Sequence, residues 1–235
     1  MRRVVLSDKP PVPRDDCLMA QGSDAESHRS RRPVGDLRLA TLEDVEAMRD
    51  SLVEAFAFDP VASWVYPEQA YRRVCLAQWY ELTLRAGLRC GHTYTAGGNR
   101  AVAIWSPPSV PQMFDWDREG TAIAEMLKTH LGERTNGVLK ALMAIDSAHP
   151  LEIPHFYLAV LGTQPSMQGK GLAGALLDEV LGRCDRERWP AYLETSLERN
   201  VRFYESRRFE VTRRSSLPDG PPVWFMWREP DGEGA

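Results

Sequence analysis

The chain is poor in whatever would staple it, anchor it in a bilayer or spread it over a polyanion. Its four cysteines, Cys17, Cys75, Cys90 and Cys184, form no C-x-x-C pair and keep no metal-ligand spacing with the five histidines. Neither a disulfide framework nor a metal site is therefore expected, and the thiols read as free in a reducing cytoplasm. No apolar run approaches the roughly 20 residues of a membrane span. Arg2 and Arg3 lead into no apolar stretch before a cleavage site, so neither membrane insertion nor export is expected. A net charge of −4 provides no global basic field, which argues against nucleic acid as a partner and requires any anion site to be local. No internal repeat is visible.

What is present is apolar material. At 235 residues and 43% hydrophobic content, the chain suits one α/β domain with additions. Residues 1–35 mix prolines, serines and both signs of charge with little periodicity, as in Ser27-His28-Arg29-Ser30-Arg31-Arg32-Pro33, and read as a disordered extension before a single domain over 36–235. Order is expected from the alternating Asp36 to Ala40, then a helix started by Thr41-Leu42-Glu43-Asp44 and ended at Asp59-Pro60. A second helix is expected over Glu68 to Leu88, and a hairpin turns at Gly97-Gly98-Asn99-Arg100. Two helices, about Asp117 to Leu131 and Glu133 to Ser147, form an insertion over about 109–150. A strand His155 to Leu161, a helix closed by Trp189-Pro190, a strand Ala191 to Ser196, a short helix capped by Asn200 and a closing hairpin from Phe209 to Arg228 complete the order.

The chain is organised around Gln168-Gly169-Lys170-Gly171-Leu172-Ala173-Gly174, between strand and helix. Glycine lets backbone amides approach an anion closely, and the first helical turn leaves N–H groups unpaired; Lys170 adds a mobile cation. The segment also satisfies G-x-G-x-x-G, with Glu194 at the spacing of a ribose-binding acid. A dinucleotide fold, however, would run its strand almost straight into the first glycine, whereas Thr163 to Gln168, with Pro165, intervenes here, and little chain follows Glu194. Glycines that merely allow a helix to pack on a sheet are the plainer alternative.

The element order, with Gln168, Gly171 and Ala173 meeting Q/R-x-x-G-x-G/A and with Leu193-Glu194-Thr195-Ser196, Asn200 and Phe203-Tyr204 downstream, resembles the GCN5-related N-acetyltransferase (GNAT) family. The similarity is strongest to its puromycin N-acetyltransferase type. It implies an α/β (α+β) fold with a central mixed, mostly antiparallel twisted sheet of about seven strands flanked by helices, and acetyl transfer from acetyl-CoA, with no metal, to a small-molecule amine. An antibiotic or natural-product intermediate would be such an acceptor, with resistance as the outcome. A peptide acceptor, or an acetyl-CoA sensor without turnover, is the alternative. The assembly would be a monomer or homodimer.

The resemblance also assigns residues. Gln168, Gly169, Lys170, Gly171, Leu172, Ala173 and Gly174 would hold the pyrophosphate, and Leu161, Gly162 and Thr163 would pair with the pantetheine arm, the Leu161 amide facing the thioester carbonyl. Asn200 would lie beside the cofactor, and Tyr204 would return a proton to the departing thiolate. Glu194 is the first candidate base and His155 the second, although Glu194 could equally be a structural acid and His155 a strand-end histidine. Aromatics at Phe56, Phe58, Trp64, Tyr66 and Trp105, with Phe114 and Trp116, are candidates for a ring-bearing acceptor's pocket or for core. One departure stands out: Arg207-Arg208-Phe209 occupies a turn where the family usually has glycine before the phenylalanine.

Overall fold

The structure, a computed structural model, describes residues 36–110 and 112–232; the reading of residues 1–35 and Cys17 lies outside them. Alternating and apolar segments build a seven-stranded sheet in the order β1-β2-β3-β4-β5-β7-β6. The strands are β1 (Arg38–Leu39), β2 (Thr93–Ala96), β3 (Ala101–Ser106), β4 (Phe156–Thr163), β5 (Ala191–Thr195), β6 (Glu210–Ser216) and β7 (Pro222–Arg228). Every neighbouring pair is antiparallel except β4 and β5.

The helices are α1 (Val45–Phe56), α2 (Pro60–Val65), α3 (Gln69–Arg89), α4 (Trp116–Leu131), α5 (Thr135–Asp146), α6 (Leu172–Glu187) and α7 (Glu198–Glu205). One face of the sheet packs on α6 and α7 through Ala103, Trp105, Leu158, Leu176, Leu193 and Tyr204. The other meets α1 and α3 through Met48, Leu52, Leu84, Val102 and Ile104. The helical insertion joins this second side, α5 packing through Ala141 beside Tyr192, Leu217 and Phe225. No helix among the described residues is long and apolar enough to cross a membrane, and Cys75, Cys90 and Cys184 carry free thiols.

The expected start of the first helix is built around Asp44. Its carboxylate accepts from the Thr41 N–H at 2.8 Å and hydroxyl at 3.0 Å, from both Arg38 nitrogens at 2.7 Å and from Asn99 Nδ2 at 2.9 Å. It thereby ties β1, the helix start and the β2–β3 turn together, and the Arg38 guanidinium holds its pKa far below the usual carboxylate range. Three expectations need correction. Asp59-Pro60 does not only end α1: Asp59 caps a new short helix, α2, with proline in its first turn, a position where the missing N–H costs nothing. Asn200 is not a cap, because α7 starts two residues earlier at Glu198, an acid that suits the positive end of the helix. And β4 runs on to Thr163, two residues past the expected end.

Candidate active site

Parallel pairing of β4 with β5 covers only Phe156↔Ala191, Tyr157↔Tyr192 and Leu158↔Leu193. The cause lies on the other side of β4. Ile104 faces Val160 and Trp105 faces Leu158, so Ala159 has no opposite number on β3. A bulge of this kind bends the strand that carries it. Beyond it, β4 parts from β5 and opens a fork in the middle of the sheet.

The fork leaves backbone groups of β4 unclaimed. The Gln164 N–H donates to the Arg100 carbonyl at 2.8 Å, and ladder alternation then turns the Gly162 amide toward β3 and those of Leu161 and Thr163 into the gap. The Thr163 carbonyl points the same way, since Gln168 Nε2 reaches it at 3.1 Å. Gly162 itself admits α1 closely: a Cβ there would sit 2.5 Å from Leu52 Cδ2 and 2.8 Å from Phe56 Cε2.

At the mouth of the fork, Gly169 and Gly171 take left-handed φ of 76° and 83°, with open space where a side chain would lie. Gly171 starts α6, whose first amides have no helical partner. The Thr163 hydroxyl is buried and has no hydrogen-bond partner among the described residues. Open amides, absent side chains and an orphaned hydroxyl fit a phosphate-bearing cofactor with an amide-containing arm. Lys170 is exposed and does not line the cavity; its Nζ lies 3.3 Å from Met167 Sδ.

One cavity of about 840 Å³ runs through the fork. On the α6/α7 face it is lined by Leu161, Thr163, Gln168, Gly169, the first residues of α6, Asn200 and Tyr204; on the other face by Phe56, Phe58, Asp59, Val61, Leu142, Ile145, Gly162 and Glu194. Glu194 keeps part of its surface open to the cavity, while the protein around the carboxyl strips it of water and raises its pKa to about 7. The Tyr192 and Tyr157 hydroxyls moderate that rise, Tyr192 from beyond hydrogen-bond range. Tyr204 is buried, its phenol pushed above its ordinary pKa by desolvation, so it is protonated at neutral pH. Asn200 Nδ2 lies 3.5 Å from Thr195 Oγ1.

The structure does not bring His155 to the cavity. It lies at the closed end of the fork, four residues before the bulge and so about 13 Å along the strand. Its Nδ1–H donates to the Ile153 carbonyl, which leaves Nε2 to accept from His149 Nε2 at 3.0 Å. Burial lowers both pKa values, that of His149 to about 4, so the pair is neutral at pH 7 and packs among Tyr157, Tyr192 and Trp227.

Of the aromatic candidates, Phe56 and Phe58 line the cavity. Trp64 packs on the β6–β7 turn with Nε1 donating to the Pro218 carbonyl at 3.0 Å. Tyr66 is buried edge-on to His130. Trp105 is fully buried against Phe156 on the α6 side. Phe114 packs on Trp79, and the side chain of Trp116 lies outside the described residues. Asp59, Leu142, Ile145 and Arg199 line the cavity without having been singled out in the sequence. Only Asp59 carried a signal, as an acid before a proline at a helix start.

No protein-family model matches the chain. An uncharacterised N-acetyltransferase of Schizosaccharomyces pombe is 26% identical over 204 residues, 81% of this chain and 82% of the relative. A Corynebacterium glutamicum crystal structure, described as histone acetyltransferase HPA2 and related acetyltransferase, superposes with a TM-score of 0.61 at 23% identity, over 85% of this chain and 98% of that one. The fold is that of the GCN5-related N-acetyltransferases. Arylalkylamine N-acetyltransferase 2 from Aedes aegypti shares this GNAT fold, with a TM-score of 0.56 at 13% identity over 83% of this chain and 99% of the other.

Proposed function

We propose that this protein is an acetyl-CoA-dependent N-acetyltransferase acting in the cytoplasm on the primary amine of a small molecule, by direct transfer within a ternary complex. The observation that carries the reading is the single cavity through the fork, with Glu194 on one face of the sheet and Tyr204 on the other. Acetyl-CoA would supply an activated acyl group as a thioester. The chain would hold it with the amides of Gln168 to Gly174 on the phosphates and those of Leu161 and Thr163 along the arm, Leu161 donating to the thioester carbonyl oxygen.

An amine is a cation in neutral water and attacks only after losing a proton. Glu194, with a pKa of about 7, is matched to that task as general base. The nitrogen lone pair then forms the amide bond as the carbon–sulfur bond breaks; Tyr204 gives its proton to the sulfur, and the surplus proton of the acylated nitrogen passes back to the Tyr204 phenolate, leaving a neutral amide and a free thiol. Phe56, Phe58, Val61, Leu142 and Ile145 wall the acceptor side with apolar surface, which favours an enclosed, ring-bearing or apolar amine over a peptide. An aminonucleoside or similar antibiotic is one such compound.

The reading is tested by thiol release from acetyl-CoA against a panel of aminonucleosides, arylalkylamines, polyamines, amino acids and short peptides, beside Tyr204→Phe. The expected result is release with a small apolar amine and a fall in kcat of about tenfold or more in the variant. Undiminished kcat in Tyr204→Phe would remove the proton donor, and no release with any amine would remove the reaction.

A further inference from the structure

We propose that Asp59 is the group that captures the acceptor as a cation, selecting amines fully charged at neutral pH over weakly basic arylamines. The inference rests on the acetyl-transfer reading of the same cavity. Asp59 lines the acceptor side together with Phe56, Phe58 and Val61. Its two oxygens are used unequally. Oδ1 accepts from the Val61 and Ala62 amides at 2.9 and 3.1 Å, which fixes the carboxylate at the start of α2. Oδ2 has the Ser196 hydroxyl at 3.4 Å, a long contact that leaves most of its accepting capacity open.

The groups facing Asp59 are these two amides, Ser196, the phenol of Tyr80 and the guanidinium of Arg199, which attracts the carboxylate through space. A carboxylate anchored through one oxygen, short of water and walled by aromatic rings is a receptor for an ammonium group, which is drawn more strongly there than in bulk solvent. Burial raises the pKa of Asp59, opposed by its hydrogen bonds and by Arg199.

Position supplies the rest. Ser196 is two residues beyond Glu194 on the same chain, about 7 Å in extended conformation, and Asp59 Oδ2 touches Ser196. An ammonium held on Asp59 is therefore a short step from Glu194 within one cavity. Two acids divide two tasks: Asp59 binds the cation and Glu194 removes the proton. An arylamine, uncharged at pH 7, offers Asp59 nothing.

The test is equilibrium binding by titration calorimetry to the CoA-loaded protein, comparing phenethylamine with phenethyl alcohol, its uncharged analogue. Wild type is expected to favour the amine about tenfold or more. Asp59→Asn should bind the two equally while melting at the wild-type temperature, because asparagine caps the same amides. Ser196→Ala and Glu194→Gln should keep the preference. The proposal is overturned if Asp59→Asn retains the preference, if it is lost in Glu194→Gln instead, or if wild type has none. Amine preference without CoA release from acetyl-CoA would count against acetyl transfer and leave the role of Asp59 standing.

Discussion

At the scale of single residues, the proposed role of Glu194 as base ties the reaction to stability. Its unfolded carboxyl titrates near 4.5 and its folded one at about 7. Between those values the folded state holds the proton more firmly, so the contribution of Glu194 to stability is greatest below about 4.5 and is lost as pH rises through 7. The full cost is at most about 3 kcal/mol. Glu194→Gln removes it, so the variant should be more stable than wild type by urea unfolding at pH 8, with the gain shrinking toward pH 5. A gain equal at both pH values would show that the folded carboxyl titrates where the unfolded one does, so that its pKa is not raised. The same titration sets the expected acid limb of kcat/KM, falling below about pH 7 in wild type and absent from the residual activity of Glu194→Gln.

At the scale of elements, a turn and a close approach flank the fork that the bulge opens. The turn after α7 places Arg208 at φ 67°, a left-handed conformation that glycine adopts at no steric cost. Even so, Arg207 and Phe209 both donate their N–H to the Tyr204 carbonyl, at 2.8 and 3.2 Å. The missing glycine thus leaves the turn geometry and Tyr204 in place, and Arg208→Gly should raise stability by up to about 1 kcal/mol with kcat unchanged; a destabilised variant would mean that the Arg208 pair with Asp231 outweighs the strain. On the other side of the fork, Gly162→Ala would drive a methyl into Leu52 and Phe56. It should cost about 1–3 kcal/mol in chemical denaturation and raise KM for the acceptor more than for acetyl-CoA, because Phe56 walls the acceptor side; equal rises would sink that assignment. Apart from α2, element types and order were legible because apolar period, turn glycines and capping acids are local signals. The bulge at Ala159 was not: it exists only as a mismatch of register between β3 and β4, and no residue type marks it. Nor could the sequence show that Trp64, Tyr66 and Trp105 turn away from the cavity while Leu142 and Ile145 turn into it, since an aromatic residue serves core and pocket alike.

At the scale of the whole molecule, the fork makes the sheet a partition with one opening. The glycine segment, α6 and α7 lie on one face and α1, α2 and α5 on the other, so under the proposed reaction the two substrates would approach from opposite sides and meet where Glu194 and Tyr204 line the same cavity. This arrangement suits direct transfer, because neither substrate has to leave before the other arrives. It also separates the roles of distant parts of the chain. The helical insertion reaches the cavity through Leu142 and Ile145, on the acceptor face alone. Replacing both by alanine removes several methyl and methylene groups from the acceptor wall, each worth about 0.8 kcal/mol when fully buried. The double variant should lower kcat/KM for a small apolar amine about tenfold, improve the relative rate with bulkier amines, and leave KM for acetyl-CoA unchanged. An equal rise in both KM values would mean that the insertion supports the fold of the whole site instead of shaping one half of it, and the division of the cavity between the two faces would have to be abandoned.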